Sequence, residues 1–282
     1  MPPSDESRCK FSAVDQAQAG HSSAGQWVSR KPSAFVLVAS AYVLGGGGML
    51  AWLVFLLKGP WSLAAFNLGA AGGLLLDTLL CLLFFVQHSL MVRRRFRLWL
   101  TRWVRAELQG TLYATASGIC LLILVGLWQP VGTPLWDPGR LIRWSMLALF
   151  LAAGAGAWWG AQSLDGFDAL GVKPALRTLG GHPSTPPPEF IVRGPYRWVR
   201  HPLYLFSLIV IWSCPVFTPD RLWHNALWTA WVVIGARMEE RDLIDCFGEA
   251  YRFYRKSVPM LMPTSLKPLV PPSGRVSPNA SR

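Results

Sequence analysis

The chain has 282 residues, of which 52% are hydrophobic and only 15% are charged, and its formal net charge is +12 at pH 7. This balance is typical of an integral membrane protein and argues against a soluble domain. The basic residues lie between apolar runs, where they fit loops at a membrane surface, so we expect no nucleic acid partner.

The N-terminal segment, residues 1–33, mixes proline, serine, glycine, glutamine and charged residues without hydrophobic periodicity. Such a composition buries too little apolar surface to fold, so we expect a disordered cytoplasmic extension. A secretory signal peptide is not expected, because the first apolar run begins too far along the chain and no small-residue cleavage site follows it.

Four apolar runs follow this segment, and each is long enough for a transmembrane helix, which needs roughly 20 residues. The predicted spans are Ala34–Leu57, Asn67–Leu90, Thr111–Trp128 and Leu141–Trp159. Glycines 45–48 in the first span permit a close helix contact or a local break, and small residues 152–157 in the fourth suit a close contact. We therefore predict four packed transmembrane helices within residues 34–161.

The second span contains two ionisable residues, Asp77 near its middle and His88 at its far end. Ionisable groups inside a span are functional candidates by default. About three helical turns separate the two residues, so they share a helix face but lie roughly 16 Å apart along the axis. We expect Asp77 to make a polar contact between helices, and His88 to be the better placed for chemistry near the membrane surface.

The C-terminal region combines a polar connection, two short apolar runs and a proline- and serine-rich tail at residues 264–282, which we expect to be disordered. The two runs, Leu203–Phe217 and Leu222–Ala236, have about 15 residues each and are short for a span. We predict that residues 162–263 form a cytoplasmic loop and a helical hairpin that dips into the membrane and returns. The predicted fold is all-α and integral to the membrane, a bundle of about five to six transmembrane helices.

All but four of the 27 lysine and arginine residues lie in alternate polar segments: the N-terminal segment, the 93–105 loop, residues 162–201 and the region after Ala236. Basic residues are enriched in the cytoplasmic loops of membrane proteins. We therefore expect both termini and both charged ends of the hairpin to be cytoplasmic.

The most specific pattern runs from Val192 to Pro263 and includes R-G-P-Y-R-W-V-R-H-P-L-Y, M-E-E-R-D-L and F-G-E-A-Y-R-F-Y-R-K-S-V-P-M-L-M-P. This pattern resembles the C-terminal signature of the isoprenylcysteine carboxyl methyltransferase superfamily, integral-membrane methyltransferases that use S-adenosylmethionine. E-E-R-D-L followed by V-P-M-L-M-P is most similar to the bacterial methanethiol S-methyltransferases. Q-H-S-L-M, L-W-Q-P and F-D-A-L-G upstream also resemble that group, so the resemblance covers residues 35–263.

The resemblance implies a multi-pass enzyme of the bacterial inner membrane, with a cytoplasmic site for S-adenosylmethionine. It also implies a small thiol as the acceptor, with methanethiol giving dimethyl sulfide. One alternative is the same chemistry on the carboxylate of a lipid or an isoprenylcysteine. Another is a non-enzymatic membrane protein, either an accessory protein of nitric-oxide respiration or a small transporter. A transporter is less favoured, because carriers place their polar substrate groups near the middle of the membrane.

Candidate residues for the methyl donor lie at both ends of the hairpin. By resemblance, Glu239 and Glu240 help to hold it, and a carboxylate suits its ammonium group or ribose hydroxyls. The alternative is a solvated helix start paired with neighbouring arginines. Arg200 is a natural partner for a carboxylate, while His201 and Tyr204 offer polar groups at the first turn of the hairpin. An interfacial anchor is the alternative for Arg200.

The other candidate cofactor-binding residues share either backbone freedom or an aromatic or basic side chain, and they are Gly194, Tyr196, Tyr251, Tyr254 and Arg255. The glycine allows close approach of the backbone or a plain turn. The last three share a helix face, where an aromatic ring can approach a sulfonium or belong to an interfacial aromatic belt.

A thiol must lose its proton to be methylated, so the implied reaction needs a base or a proton relay. We assign this catalytic role to His88, with Asp168 or a bound water as its partner. The alternative for His88 is an interfacial histidine bonded to a carbonyl or a headgroup. The five histidines include no metal-binding pair at helical spacing, so we expect no metal.

Overall fold

The computed structural model describes residues 31–136, 138–164, 167–179, 190–270 and 274–275. The predicted N-terminal extension therefore lies almost entirely outside the described residues. Of the predicted C-terminal tail, residues 264–270 and 274–275 are described. The expectation of disorder is wrong for residues 264–270, because the Leu269 amide donates to the Arg197 carbonyl at 2.9 Å and Nε of Arg197 donates to the Val270 carbonyl at 2.8 Å.

The described part of the chain is almost entirely helical. Its α-helices, in chain order, are α1 (Lys31–Ser40), α2 (Gly47–Lys58), α3 (Gly69–Met91), α4 (Arg94–Leu100), α5 (Ala106–Leu127), α6 (Arg140–Gln162), α7 (Val172–Leu179), α8 (Pro202–Trp212) and α9 (Pro219–Ser257). A π-helical segment, Ala41–Gly46, joins α1 to α2, and a 3-10 turn, Gly194–Arg197, precedes α8. The short strand β1 (Ile191–Val192) pairs antiparallel with β2 (Gly274–Arg275).

Four helical segments are long and apolar enough to cross a membrane. They are Ala34–Lys58, Gly69–Met91, Ala106–Leu127 and Arg140–Gln162, and they correspond to the four predicted spans. The largest difference is at the start of the third, which begins at Ala106 instead of Thr111. The helix continues through this polar turn because the side-chain amide of Gln109 is buried and donates to the Arg97 carbonyl oxygen at 3.1 Å.

Glycines bring two of these helices into backbone contact. A Cβ atom at Gly118 of α5 would lie 2.0 Å from the carbonyl oxygen of Leu44, and one at Gly48 of α2 would lie 2.3 Å from that of Gly118. Real side chains essentially never approach so closely, and small residues are what allow helices to pack at this distance in a membrane. The predicted close contact of the first span is therefore confirmed, with α5 as its partner.

The main hydrophobic core is rich in aromatic residues and is formed by α2, α3, α5, α6, α8 and the first half of α9. Its larger members are Trp52, Phe55, Phe84, Phe85, Trp128 and Trp228. On another side α6 packs along α8, where Gly156 faces the ring of Phe206 and Gly160 faces Leu203. α5 packs against α1, α2, α3, α4 and α7 and so lies at the centre of the bundle, while α8 and α9 carry most of the C-terminal pattern that begins at Val192.

The predicted hairpin is present, but its two arms are unequal. α8 has 11 residues, about 16 Å of helix, whereas α9 has 39 residues and continues past Glu239 and Glu240, with a break in its helical geometry at Gly248 (φ 55°). The two helices are antiparallel, since His201 lies beside Glu239 and Trp212 donates to Thr229 at 3.0 Å. The two apolar runs predict the hairpin but not the length of its second helix, because charged residues end an apolar run without ending a helix.

The glycine contact yields a stability prediction with an internal control. Gly118→Ala should lower the thermal unfolding midpoint in detergent, because the new methyl group overlaps the π-helical backbone, and overpacking costs about 1–3 kcal/mol. Gly47→Ala is the matched control, since nothing lies within 4 Å of a Cβ atom at that position. Equal midpoints for the two variants would contradict the close contact.

Candidate functional site

The site begins at a sharp turn before α8. Gly194 has φ +52°, and a Cβ atom on it would lie 1.9 Å from the hydroxyl oxygen of Ser163 at the end of α6. Both the positive φ and the lack of space require glycine here. The contact is with the protein itself, so the requirement for glycine comes from packing of the turn against α6.

A strand-like segment after α9 returns across the start of α8. The amide of Arg200 donates to the Pro259 carbonyl at 2.9 Å, and that of His201 donates to the Met260 carbonyl at 3.1 Å. Further along, Leu269 donates its amide to the Arg197 carbonyl at 2.9 Å. The V-P-M-L-M-P motif thus supplies backbone acceptors that hold the start of α8 in place.

A buried ion pair joins α8 to α9. Nε and Nη2 of Arg200 lie 2.6 Å and 2.5 Å from Oε1 of Glu240, and each side chain is only 9% exposed. Nη1 of Arg200 donates to the carbonyl oxygens of Arg255, at 2.8 Å, and Val258. The guanidinium therefore uses its donors within the protein, and its role in this arrangement is to position Glu240.

His201 lies between the two glutamates. Its Nδ1 is 3.8 Å from Oε2 of Glu239 and its Nε2 is 3.4 Å from Oε1 of Glu240, while the ring stacks on Tyr204 with centroids 5.5 Å apart. Burial lowers the pKa of His201, although both glutamates act to raise it. The imidazole is therefore neutral at pH 7, and its buried Nε2 makes no hydrogen bond within the described residues.

Three tyrosines that the sequence analysis proposed for the site pack beside the ion pair of Arg200 and Glu240. The hydroxyl of Tyr254 donates to the Tyr196 carbonyl at 2.6 Å, which ties the end of α9 to the 3-10 turn. Tyr251 is only 2% exposed, and its hydroxyl has no hydrogen-bond partner in the described part of the chain. Burial raises the pKa of all three tyrosines, so they remain neutral. Arg255 is different, since its side chain is 52% exposed and its Nε lies 3.6 Å from Oε2 of Glu240.

His88 lies in an aromatic environment between spans. The hydroxyl of Tyr113 on α5 is 2.6 Å from its Nε2, and the rings of Phe84 and Trp231 lie 5.2 Å and 5.1 Å from its own. The Tyr113 hydroxyl is therefore the polar partner of His88 between the two spans.

Sequence reasoning did not find Tyr113, and it paired His88 with Asp168 instead. The structure places Asp168 before α7, where its Oδ2 accepts from the amide of Lys173 at 2.6 Å, and it records no contact between Asp168 and His88. Tyr113 gave one weak signal, a hydroxyl near the polar end of an apolar span.

A second buried polar cluster lies at the other end of the bundle. Oδ1 of Asp77 accepts from the amide of Gln129 at 2.9 Å, which confirms the expected polar contact between helices. At the start of α9, Asp220 accepts from the indole of Trp128 at 2.8 Å, and His224 lies 3.3 Å from the indole nitrogen of Trp52. The motif D-R-L-W-H-N in the second arm of the hairpin was the sequence signal for this cluster.

Among the described residues, no group of three or more His, Cys, Asp or Glu side chains is arranged to hold a metal ion.

Curated proteins match most of the chain. A methanethiol S-methyltransferase from Pseudomonas sp. (strain GM41(2012)) is 33% identical over 237 residues, which cover 81% of this chain and 86% of that protein. Another from Pseudomonas deceptionensis is 37% identical over 194 residues, covering 68% of this chain and 73% of that protein. Nurim from Rattus norvegicus is 28% identical over 193 residues, covering 65% and 72%. No protein-family model matches the chain, and no solved structure matches it.

The Arg200–Glu240 pair should be essential for stability. Arg200→Gln leaves Glu240 as a buried, unpaired carboxylate, and breaking a buried pair in this way costs about 3–5 kcal/mol. The measurement is thermal unfolding of the purified protein in detergent. Arg252→Gln is the control, because Arg252 pairs with Glu249 on the surface, where the side chains are 57% and 70% exposed and such a pair contributes about 0–1 kcal/mol. Similar losses for both variants would contradict the assignment.

Proposed function

The chain belongs to the methanethiol S-methyltransferases, relatives of the isoprenylcysteine carboxyl methyltransferases, and we propose that it methylates methanethiol to dimethyl sulfide. The methyl donor in this proposal is S-adenosylmethionine. The supporting observation is the buried pair of Arg200 and Glu240, beside which His201 and the Tyr251 hydroxyl are also buried. Family membership argues against a non-enzymatic accessory protein, and no contact favours a lipid or isoprenylcysteine carboxylate as acceptor.

The residues around the ion pair fit a methyl donor of this kind. When bound, S-adenosylmethionine supplies an electrophilic methyl group on a positively charged sulfonium. Glu239, with a side chain that is 44% exposed, suits its ammonium group or ribose hydroxyls. The Tyr251 hydroxyl is buried and makes no hydrogen bond with the described residues, and such a group gains free energy when a polar ligand pairs with it.

The other predicted residues support this group in different ways. Tyr204 forms one wall through its stacking on His201. Gly194, Tyr196 and Tyr254 hold the turn and the end of α9 in place. Arg255 is half exposed beside Glu240, so its free donors suit the carboxylate of the methyl donor.

His88 is the proposed base for the acceptor. Methylation of a thiol breaks its S–H bond, and His88 accepts that proton while the sulfur forms the new bond to carbon. The Tyr113 hydroxyl, 2.6 Å from Nε2, orients the imidazole. The surrounding rings of Phe84 and Trp231 exclude water, which favours the reactive alignment of a small apolar thiol.

The proposed membrane arrangement places the site at the cytoplasmic surface of a bacterial inner membrane. The distribution of lysine and arginine supports this orientation, with both termini on the same side. α8 is too short to cross, whereas α9 is long enough to do so. The four long helices return the chain to the side on which it began. It then enters the membrane through α8 and residues 213–218 and returns through α9, which keeps both termini on one side. Residues 162–263 form the cofactor-binding region, and residues 1–33 and 264–282 are extensions.

The methyl-donor role of Glu239 is tested by measuring both binding and product. Purified wild-type protein should release dimethyl sulfide into the headspace when it receives S-adenosylmethionine and methanethiol. Glu239→Gln should raise the Kd for S-adenosylmethionine, measured by calorimetry, roughly tenfold to a hundredfold, because a charge-assisted hydrogen bond contributes about 1.5–3 kcal/mol.

Glu249→Gln is the matched control for this experiment, since Glu249 lies on the same helix and is 70% exposed on its surface. It should bind the methyl donor like the wild type. Binding of the methyl donor without dimethyl sulfide would retain the methyltransferase and redirect the search for its acceptor. Absence of both would refute the proposed function.

The base role of His88 predicts a different pattern. His88→Gln should lower kcat about a hundredfold or more while leaving the Kd for S-adenosylmethionine nearly unchanged. Raising the pH should partly restore the rate, because a larger fraction of the thiol is then ionised without a base. A parallel loss of donor binding, or a rate that does not respond to pH, would show that His88 only positions its neighbours.

A further inference from the structure

A groove outside the proposed site lies where α3 ends beside α4 and α9. Its volume is about 390 Å³. The lining residues are Leu90, Arg93, Arg94, Arg95, Phe96 and Asp242. Three guanidinium groups therefore face one carboxylate, and the groove carries a net positive charge.

The charges of this groove are only partly compensated by the protein. Nη1 of Arg93 lies 3.6 Å from Oδ2 of Asp242, and its Nη2 lies 3.1 Å from the sulfur of Met238. Arg94 and Arg95 are both exposed, and neither forms a hydrogen bond or an ion pair with any residue that the structure describes. Two guanidinium groups thus remain available for an anion, and arginine is well suited to phosphate.

The groove also opens at the level of lipid headgroups. It lies at the end of the candidate span Gly69–Met91, and Leu90 in its wall is 47% exposed. On and just after α4, Trp99 is 49% exposed and Trp103 is 74% exposed. Tryptophan side chains are enriched at this depth in membrane proteins. The groove therefore places the exposed Leu90, which can contact a lipid chain, next to arginines that can bind its headgroup.

We propose that this groove binds the phosphate of an anionic phospholipid, with Arg94 and Arg95 as its main ligands. Basic pockets between helices at a membrane surface recognise anionic headgroups in this way. Arg93 connects the groove to Met238 and Asp242, which flank Glu239 and Glu240 on α9. A bound lipid would therefore brace the segment of α9 that carries the proposed methyl-donor residues.

The test is native mass spectrometry of the full-length protein in detergent with added phosphatidylglycerol or phosphatidylcholine. The wild type should retain phosphatidylglycerol in preference to phosphatidylcholine. Arg94→Gln/Arg95→Gln should weaken that binding at least tenfold, since each basic residue near an anionic lipid contributes about 1 kcal/mol. Equal retention of the two lipids by the wild type would overturn the proposal.

Arg102→Gln/Arg105→Gln is the matched control, because it removes the same charge from the same loop outside the groove. It should leave phosphatidylglycerol binding within about twofold of the wild type, given that exposed charges at a distance are screened. An equal loss of phosphatidylglycerol binding in both double variants would show that general surface charge, and not the groove, accounts for the binding. If Arg94→Gln/Arg95→Gln has a lowered unfolding midpoint, the single variant Arg95→Gln replaces it in the comparison.

Two further measurements distinguish other anions. Inorganic phosphate at millimolar concentration should not displace phosphatidylglycerol, and full displacement would indicate a site for a soluble anion instead. The Kd of Arg94→Gln/Arg95→Gln for S-adenosylmethionine should match the wild type. Loss of that binding would assign the groove to the methyl-donor site, whereas failure of the wild type to bind S-adenosylmethionine would bear only on the proposed function.

Discussion

The candidate site depends on the ion pair of Arg200 and Glu240. One guanidinium group contacts a carboxylate on α9 and two carbonyl oxygens, those of Arg255 and Val258. It therefore fixes the start of α8, the middle of α9 and the segment that follows α9. Burying two charges is costly, and an apolar pair often stabilises a fold as well. The pair fixes how the start of α8, the middle of α9 and the segment after α9 are aligned, because its hydrogen bonds can form in only one relative position of the three.

The packing of the membrane helices determines where the proposed base, His88, and its partner Tyr113 lie. α5 is held against α2 by the backbone contact of Gly48 and Gly118, and the same helix carries Tyr113 about one and a half turns before Gly118. A shift of α5 would therefore move the Tyr113 hydroxyl away from His88. The close packing of α5 against α2 thus sets the position of the hydroxyl that orients the proposed base.

Local features of the sequence were predictable, and pairings between segments were not. Hydropathy located the four long apolar helices, and the pattern after Val192 located the cluster around Glu240. The continuation of α9 was missed because a charged turn at a membrane surface looks like a helix end. The partner of His88 was missed because the rotation of one span about its axis depends on its neighbours. The contact that Asp168 makes, with the amide of Lys173, also depends on the fold and could not be predicted from the sequence.

The charge balance of the cluster explains why a buried, neutral histidine belongs in it. Arg200 compensates Glu240, whereas the contact of Glu239 with His201 neutralises it only if the imidazole is protonated. Because burial lowers the pKa of His201, the imidazole stays neutral at pH 7 and Glu239 keeps its negative charge for a cationic ligand. Protonation of the His201 imidazole at low pH would add a positive charge beside the sulfonium of the methyl donor. It would also pair His201 with Glu239. The desolvation of one imidazole thus preserves the electrostatic attraction on which the proposed binding of the methyl donor depends.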